Sequence, residues 1–61
     1  MRQFFLTGRN PDLNEYEWAV IRAENKKSAI ENAKISYGWT SIVTHASASQ
    51  ACIFCERRNK T

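Results

Sequence analysis

No run of this chain is long and apolar enough to span a bilayer. Its start, MRQFFLTGRN, is broken at once by Thr7-Gly8-Arg9-Asn10 and lacks the apolar core of a secretory signal. The cysteines, Cys52 and Cys55, number only two, too few for a disulfide framework, which agrees with a reducing, intracellular setting. There is one histidine, His45. Serines occur nearby at Ser41, Ser47 and Ser49, but no base, orienting group and oxyanion pocket can be named for any of them. No catalytic residue, metal site or cofactor is therefore read. No RNP-like aromatic motif or helix-turn-helix pair is present, which argues against sequence-specific nucleic-acid readout. Internal repeats, linkers and low-complexity segments are absent as well.

What is present is small. The 61 residues make one compact α+β domain, 1–61, with a thin stability margin. There is room for one helix against one sheet and little for a deep substrate pocket, so the composition speaks against an enzyme. The net charge of +3 permits contact with nucleic acid or an acidic protein face without demanding it.

The central stretch, Glu24 to Gly38, is the clearest helix. Asn25 suits the N-cap. Ala29, Ala33 and Tyr37, with Ile30 beside them, form one apolar stripe, and Gly38 suits the left-handed residue after the last turn. Ile35 lies roughly opposite the stripe and reads first as a single exposed apolar residue, with a partner contact as the alternative. Before the helix, Arg2–Thr7 and Tyr16–Ala23 read as antiparallel strands joined by a turn-rich loop, Gly8–Glu15, in which Asn10-Pro11-Asp12 reverses the chain. After it, Trp39–His45 is a β-branched third strand. Ala46–Ser49 reads as a turn, Gln50–Arg57 as a fourth strand paired with the third, and Arg58–Thr61 as a polar tail. The expected fold is an antiparallel four-stranded sheet with one helix on one face, in the order β-β-α-β-β. Small Ala19 and Ala23 would meet the small residues of the helix. The Trp18/Val20 side of the sheet would then be uncovered, a candidate binding or dimer surface, unless strand curl and loops cover it.

Cys52-Ile53-Phe54-Cys55 is a CxxC. Inside a strand, positions three apart face opposite sides, and a structural zinc needs four ligands. His45 and Glu56, or another chain, would have to complete the set. Two small structural cysteines are the preferred reading, with a redox or zinc protein as a remote alternative. The basic residues are more suggestive. Lys26-Lys27 opens the helix, where the dipole slightly disfavours cations, and Arg57-Arg58 with Lys60 makes a short basic end. With Trp18, Phe5 or Trp39 nearby, such cations could hold a phosphate backbone and stack bases.

The strand-into-helix phrase VIRAENKKSAIENAK, with its strand–loop–strand–helix–strand–strand setting, resembles small phage and mobile-element proteins. Most of all it resembles the compact anti-CRISPR inhibitors of type I surveillance complexes. The resemblance is architectural and covers most of the chain, and it would place Ile21, Ala23, Ala29 and Ala33 in the core. It implies a stoichiometric inhibitor in the cytoplasm of a bacterial host. Such a protein would bind a CRISPR effector subunit and block target-DNA binding or nuclease recruitment. As a basic protein it would be a poor DNA mimic. Contact residues would be aromatic and Arg anchors, Arg9, Tyr16, Trp18, Arg22, Arg57 and Arg58, together with Lys26 and Lys27. The partner is thus expected to be a larger protein or ribonucleoprotein complex, with weak nucleic-acid contact or a homodimer also open. The alternative function is a small basic nucleic-acid-binding accessory protein.

Overall fold

The structure is a computed structural model and describes residues 1–60; Thr61, the end of the expected polar tail, lies outside them. Five elements follow in order: β1 (Arg2–Asn10), β2 (Glu15–Ala23), α1 (Lys26–Tyr37), β3 (Thr40–His45) and α2 (Ala48–Asn59). The sheet has three strands in the order β2-β1-β3, with β1 antiparallel to both neighbours.

The β1–β2 hairpin is longer than expected. Gly8, Arg9 and Asn10 belong to β1 and Glu15 to β2, so the ladder runs unbroken from Asn10↔Glu15 to Arg2↔Ala23. The reversal is confined to residues 11–14. The Asn10 side chain accepts from the Asp12 and Leu13 N–H groups at 3.0 and 3.3 Å, and Asn14 takes a left-handed φ of 56°, which its short amide tolerates. Gly8 stays in the strand because the Trp39 indole lies on it. A Cβ there would fall 2.5 Å from the indole ring, so only glycine permits this approach.

Helix α1 forms where the sequence places it. The Asn25 side chain accepts from the Ser28 N–H at 2.9 Å. Gly38 closes the other end at φ 69°, its N–H donating to the Lys34 carbonyl at 3.0 Å. Ala29 and Ala33 are fully buried against Leu6, Ala23 and Trp39. Ile21 packs against this cluster while remaining half-buried. Tyr37 leaves the stripe: it stacks on Trp39, with ring centroids 4.6 Å apart, and stays exposed. Ile35 is exposed, as its position on the helix predicts.

The four-stranded sheet with a single helix is not what forms. Residues expected to be the fourth strand lie in α2, and β3 pairs with β1 instead. The cause is local. Ser47-Ala48-Ser49-Gln50 is a capping sequence. The Ser47 side chain accepts from the Gln50 N–H at 3.3 Å, and the Gln50 side chain reaches back to accept from the Ala46 N–H at 3.3 Å. From there Ala48, Ala51, Cys52 and Cys55 recur with helical period, and Gln50, Glu56, Arg57 and Arg58 are among the residues on the other faces. The polar residues Arg58 and Asn59 are the last turn of this helix, not a tail.

The face expected to be open is covered at its centre, while Trp18 and Val20 on its β2 flank stay exposed. Leu6 and Thr7 are neighbours on the central strand and point to opposite faces, yet both are fully buried. Leu6 lies under α1. Thr7 lies on the other face, which α2 covers through buried Ala51 and Cys55. Among the described residues no Cα of α1 comes within 8 Å of a Cα of α2. The architecture is thus helix, sheet, helix in three layers.

Candidate binding surface around helix α2

The eight expected contact residues separate into three places. Lys26 and Lys27 stand on α1 with Lys34, Ile30 and Glu31, around a shallow groove on the far side of the molecule. Trp18 sits on the β2 flank of α2, beside Cys52, Ile53 and Glu56, and Arg22 is exposed farther along the same strand. Arg9, Tyr16, Arg57 and Arg58 come together at the C-terminal end of α2. This last group brings three arginines and a tyrosine together.

Strand parity builds it. Arg9 pairs with Tyr16 across the β1–β2 ladder, and both side chains lie on the α2 face. From the helix, Gln50, Phe54 and Arg57/Arg58 fall at intervals of three and four, on one stripe. Phe54 is its centre. The Tyr16 ring meets it edge-to-face at 5.9 Å, and the His45 ring lies 5.0 Å away, tilted by 54°. The Arg58 guanidinium lies 5.0 Å from the Phe54 centroid and 5.9 Å from that of Tyr16. Each such cation–ring contact contributes about 0.5–1 kcal/mol at an exposed site. Arg57 and Arg58 occupy the last turn of α2, where the helix dipole favours cations. Arg9 donates to the Asn14 side chain at the hairpin end.

Two concavities flank this cluster. A cleft of about 360 Å³ runs between α2 and the end of β3, lined by His45, Gln50, Ile53, Phe54, Arg57 and Arg58. A more polar recess of about 270 Å³ lies at the hairpin end, with Arg9, Glu15, Tyr16 and Arg58 on its walls. Ile53 is 48 % exposed at the rim of the first. The cleft thus pairs an apolar patch with two guanidinium groups and an imidazole, a chemistry suited to an apolar anchor next to a carboxylate or phosphate.

Gln50, Phe54 and Asn59 are parts of this region absent from the expected contact residues, and His45, expected only as a strand-end histidine, joins them. Their signal was the Ser47–Gln50 capping sequence, which makes α2 a helix and puts Gln50, Phe54 and Arg58 in line. His45 is also anchored inward: its Nε2 pairs with the Thr7 hydroxyl at 2.8 Å. Thr7 is fully buried, so this hydroxyl ties β3 to β1 and faces no substrate.

The cysteines need a different geometry from the one expected. In a helix, Cys52 and Cys55 stand on successive turns and not on opposite faces of a strand. Both are free thiols, Cys52 half-buried and Cys55 buried. They lie more than a turn inside α2, away from its N-terminal dipole. Burial pushes the Cys55 thiol above its ordinary range, and Cys52 and Glu17 add to the rise. A reactive thiolate needs the opposite shift. Among the described residues, no three His, Cys, Asp or Glu side chains gather to hold a metal ion, and no helix is long and apolar enough to cross a membrane.

No family model, no curated protein and no solved structure matches this chain.

Proposed function

We propose that the protein is a non-enzymatic binding protein that docks on a larger protein or ribonucleoprotein complex through the basic and aromatic end of α2. The observation that carries this reading is the convergence of Arg9, Tyr16, His45, Phe54, Arg57 and Arg58, from three strands and a helix, around two adjoining concavities that share Arg58. Arg and Tyr are the residues that most often anchor protein interfaces. The specific form of the reading is an inhibitor of a type I CRISPR surveillance complex, blocking target-DNA binding or nuclease recruitment. It rests on the likeness in element order, which extends over the first four elements, β-β-α-β, and stops where α2 replaces the fourth strand.

The test adds the purified protein to a type I surveillance complex and measures target-DNA binding and cleavage. The reading expects co-migration with the complex and loss of one of those steps at stoichiometric protein. Arg57→Glu is expected to weaken capture at least tenfold, the scale of a charged anchor removed from an interface. DNA binding and cleavage that both persist at saturating protein would refute the CRISPR form.

Direct nucleic-acid binding is the second reading, favoured by the two arginines of the last turn and by Arg9. The geometry supports it less well. Phe54 has Arg58 over its ring and Tyr16 against it, leaving little face for a base to stack on. The more exposed indole, Trp18, shares its flank with the carboxylate of Glu56, which repels phosphate. This reading predicts binding to single-stranded DNA or RNA that falls steeply with salt; no binding at low salt removes it.

A further inference from the structure

We propose that the outer edge of β2 pairs with β2 of a second copy of this chain, centred on Val20. The Tyr16 backbone shows which groups face outward. Its N–H donates to Asn59 Oδ1 at 2.8 Å, and its carbonyl accepts from Asn59 Nδ2 at 3.0 Å. The side-chain amide of the last α2 residue thus occupies the place of a neighbouring strand. The β1–β2 register is unbroken and strand geometry repeats every two residues. Trp18, Val20 and Arg22 therefore send their N–H and C=O groups outward as Tyr16 does. Among the described residues nothing meets them.

The two edges of the sheet are guarded differently. β3 is short, and a register shift opposite Gly8, with Ser41 at φ 53°, kinks it; short length and bulges are the usual protection of an edge. β2 has nine residues and no bulge, and its one guard, Asn59, sits at the end.

The open segment is complementary to itself. In an antiparallel pair related by a two-fold axis at Val20, Val20 stands opposite Val20 of the second copy, and Trp18 stands opposite the second copy's Arg22. All of these side chains lie on the α2 face, where Trp18 is 39 % and Val20 43 % exposed. Each indole would receive a guanidinium, and Glu56, which shares the Trp18 flank, supplies the opposite charge. The next position outward, Tyr16, is closed by Asn59, so the ladder ends at Trp18 and Arg22 on each chain. The three-stranded sheets would join into one continuous sheet, leaving the cleft between α2 and β3 on the opposite flank free.

The test is sedimentation of the full chain over a range of concentrations up to about millimolar, a span that covers weak interfaces. The wild type is expected to shift from monomer to dimer. Val20→Pro removes an outward N–H and leaves the bonds to β1 untouched. It is expected to weaken the dimer roughly tenfold or more, since the loss occurs twice by symmetry, with the far-UV spectrum unchanged. Should that variant unfold, Arg22→Glu serves in its place: it is expected to weaken the dimer, and Arg22→Glu with Glu56→Arg to restore it. A wild type that stays monomeric at every concentration overturns the proposal. So does a folded Val20→Pro that dimerises as tightly as wild type, or a charge reversal without effect.

Discussion

The two faces of the sheet are built from different materials. Under α1 the contact is close and mostly apolar: Leu6, Ala23, Ala29, Ala33 and Trp39 seal one another, small alanines let the helix approach, and the Trp39 indole N–H donates to the Glu17 carboxylate at 2.9 Å. Under α2 the buried centre is a threonine, its hydroxyl bonded to His45. Around it lie Arg9, Tyr16, Phe54 and Arg58, held by ring and guanidinium contacts more than by burial. The first face is where a small domain keeps its stability. The second is more charged and more exposed, the composition of a surface suited to meet a partner.

The largest expected effect lies on the α1 face. Leu6→Ala should cost about 2–5 kcal/mol, a large part of the stability of a domain this size; thermal unfolding followed by circular dichroism checks it. Gly8→Val should cost about 1–3 kcal/mol or more, because its Cβ meets the Trp39 ring, and Trp fluorescence should report the displaced indole. On the other face, Thr7→Val keeps the shape but leaves His45 Nε2 without its partner. The expected loss is about 1–3 kcal/mol. A loss at Thr7 as large as at Leu6 would erase the distinction between the faces. Ser47→Ala should remove about 1 kcal/mol through the α2 cap, and Ile35→Lys should stay within about 0.5 kcal/mol. Alkylation sharpens the same comparison. Cys52 should react first under native conditions, and Cys55, buried with its thiol pushed up, should react on unfolding.

The sequence made one face legible and misled about the other. Around α1 every device is local: Asn25, the alanine spacing and Gly38 sit next to what they cap or cover, and they form as read. The C-terminal segment fails for a reason that can be named. Ile53 and Phe54 between two cysteines look like a strand when taken as a short apolar run, and short runs do not separate helix from strand by periodicity. The deciding residues straddle two expected elements: Ser47 reads as part of a turn and Gln50 as the first residue of a strand. Their spacing is a capping signal, and reading it would have supplied α2, covered the centre of the open face and placed Phe54 beside Arg58. What no local pattern could supply is the convergence of Arg9 and Tyr16 with α2, because it depends on how the helix crosses the sheet. The same holds for Asn59, whose amide meets Tyr16 across 43 positions of sequence.

The division of labour between the faces is tested most directly by one paired measurement on Arg57→Glu. Arg57 is exposed on the last turn of α2 and lines the cleft without belonging to the α1-side core. Capture of a type I surveillance complex and melting temperature are followed together in wild type and variant. The account predicts that capture falls at least tenfold while the melting temperature stays within a few degrees of wild type. Capture by the variant equal to that of wild type would contradict it, and would move the contact surface away from α2.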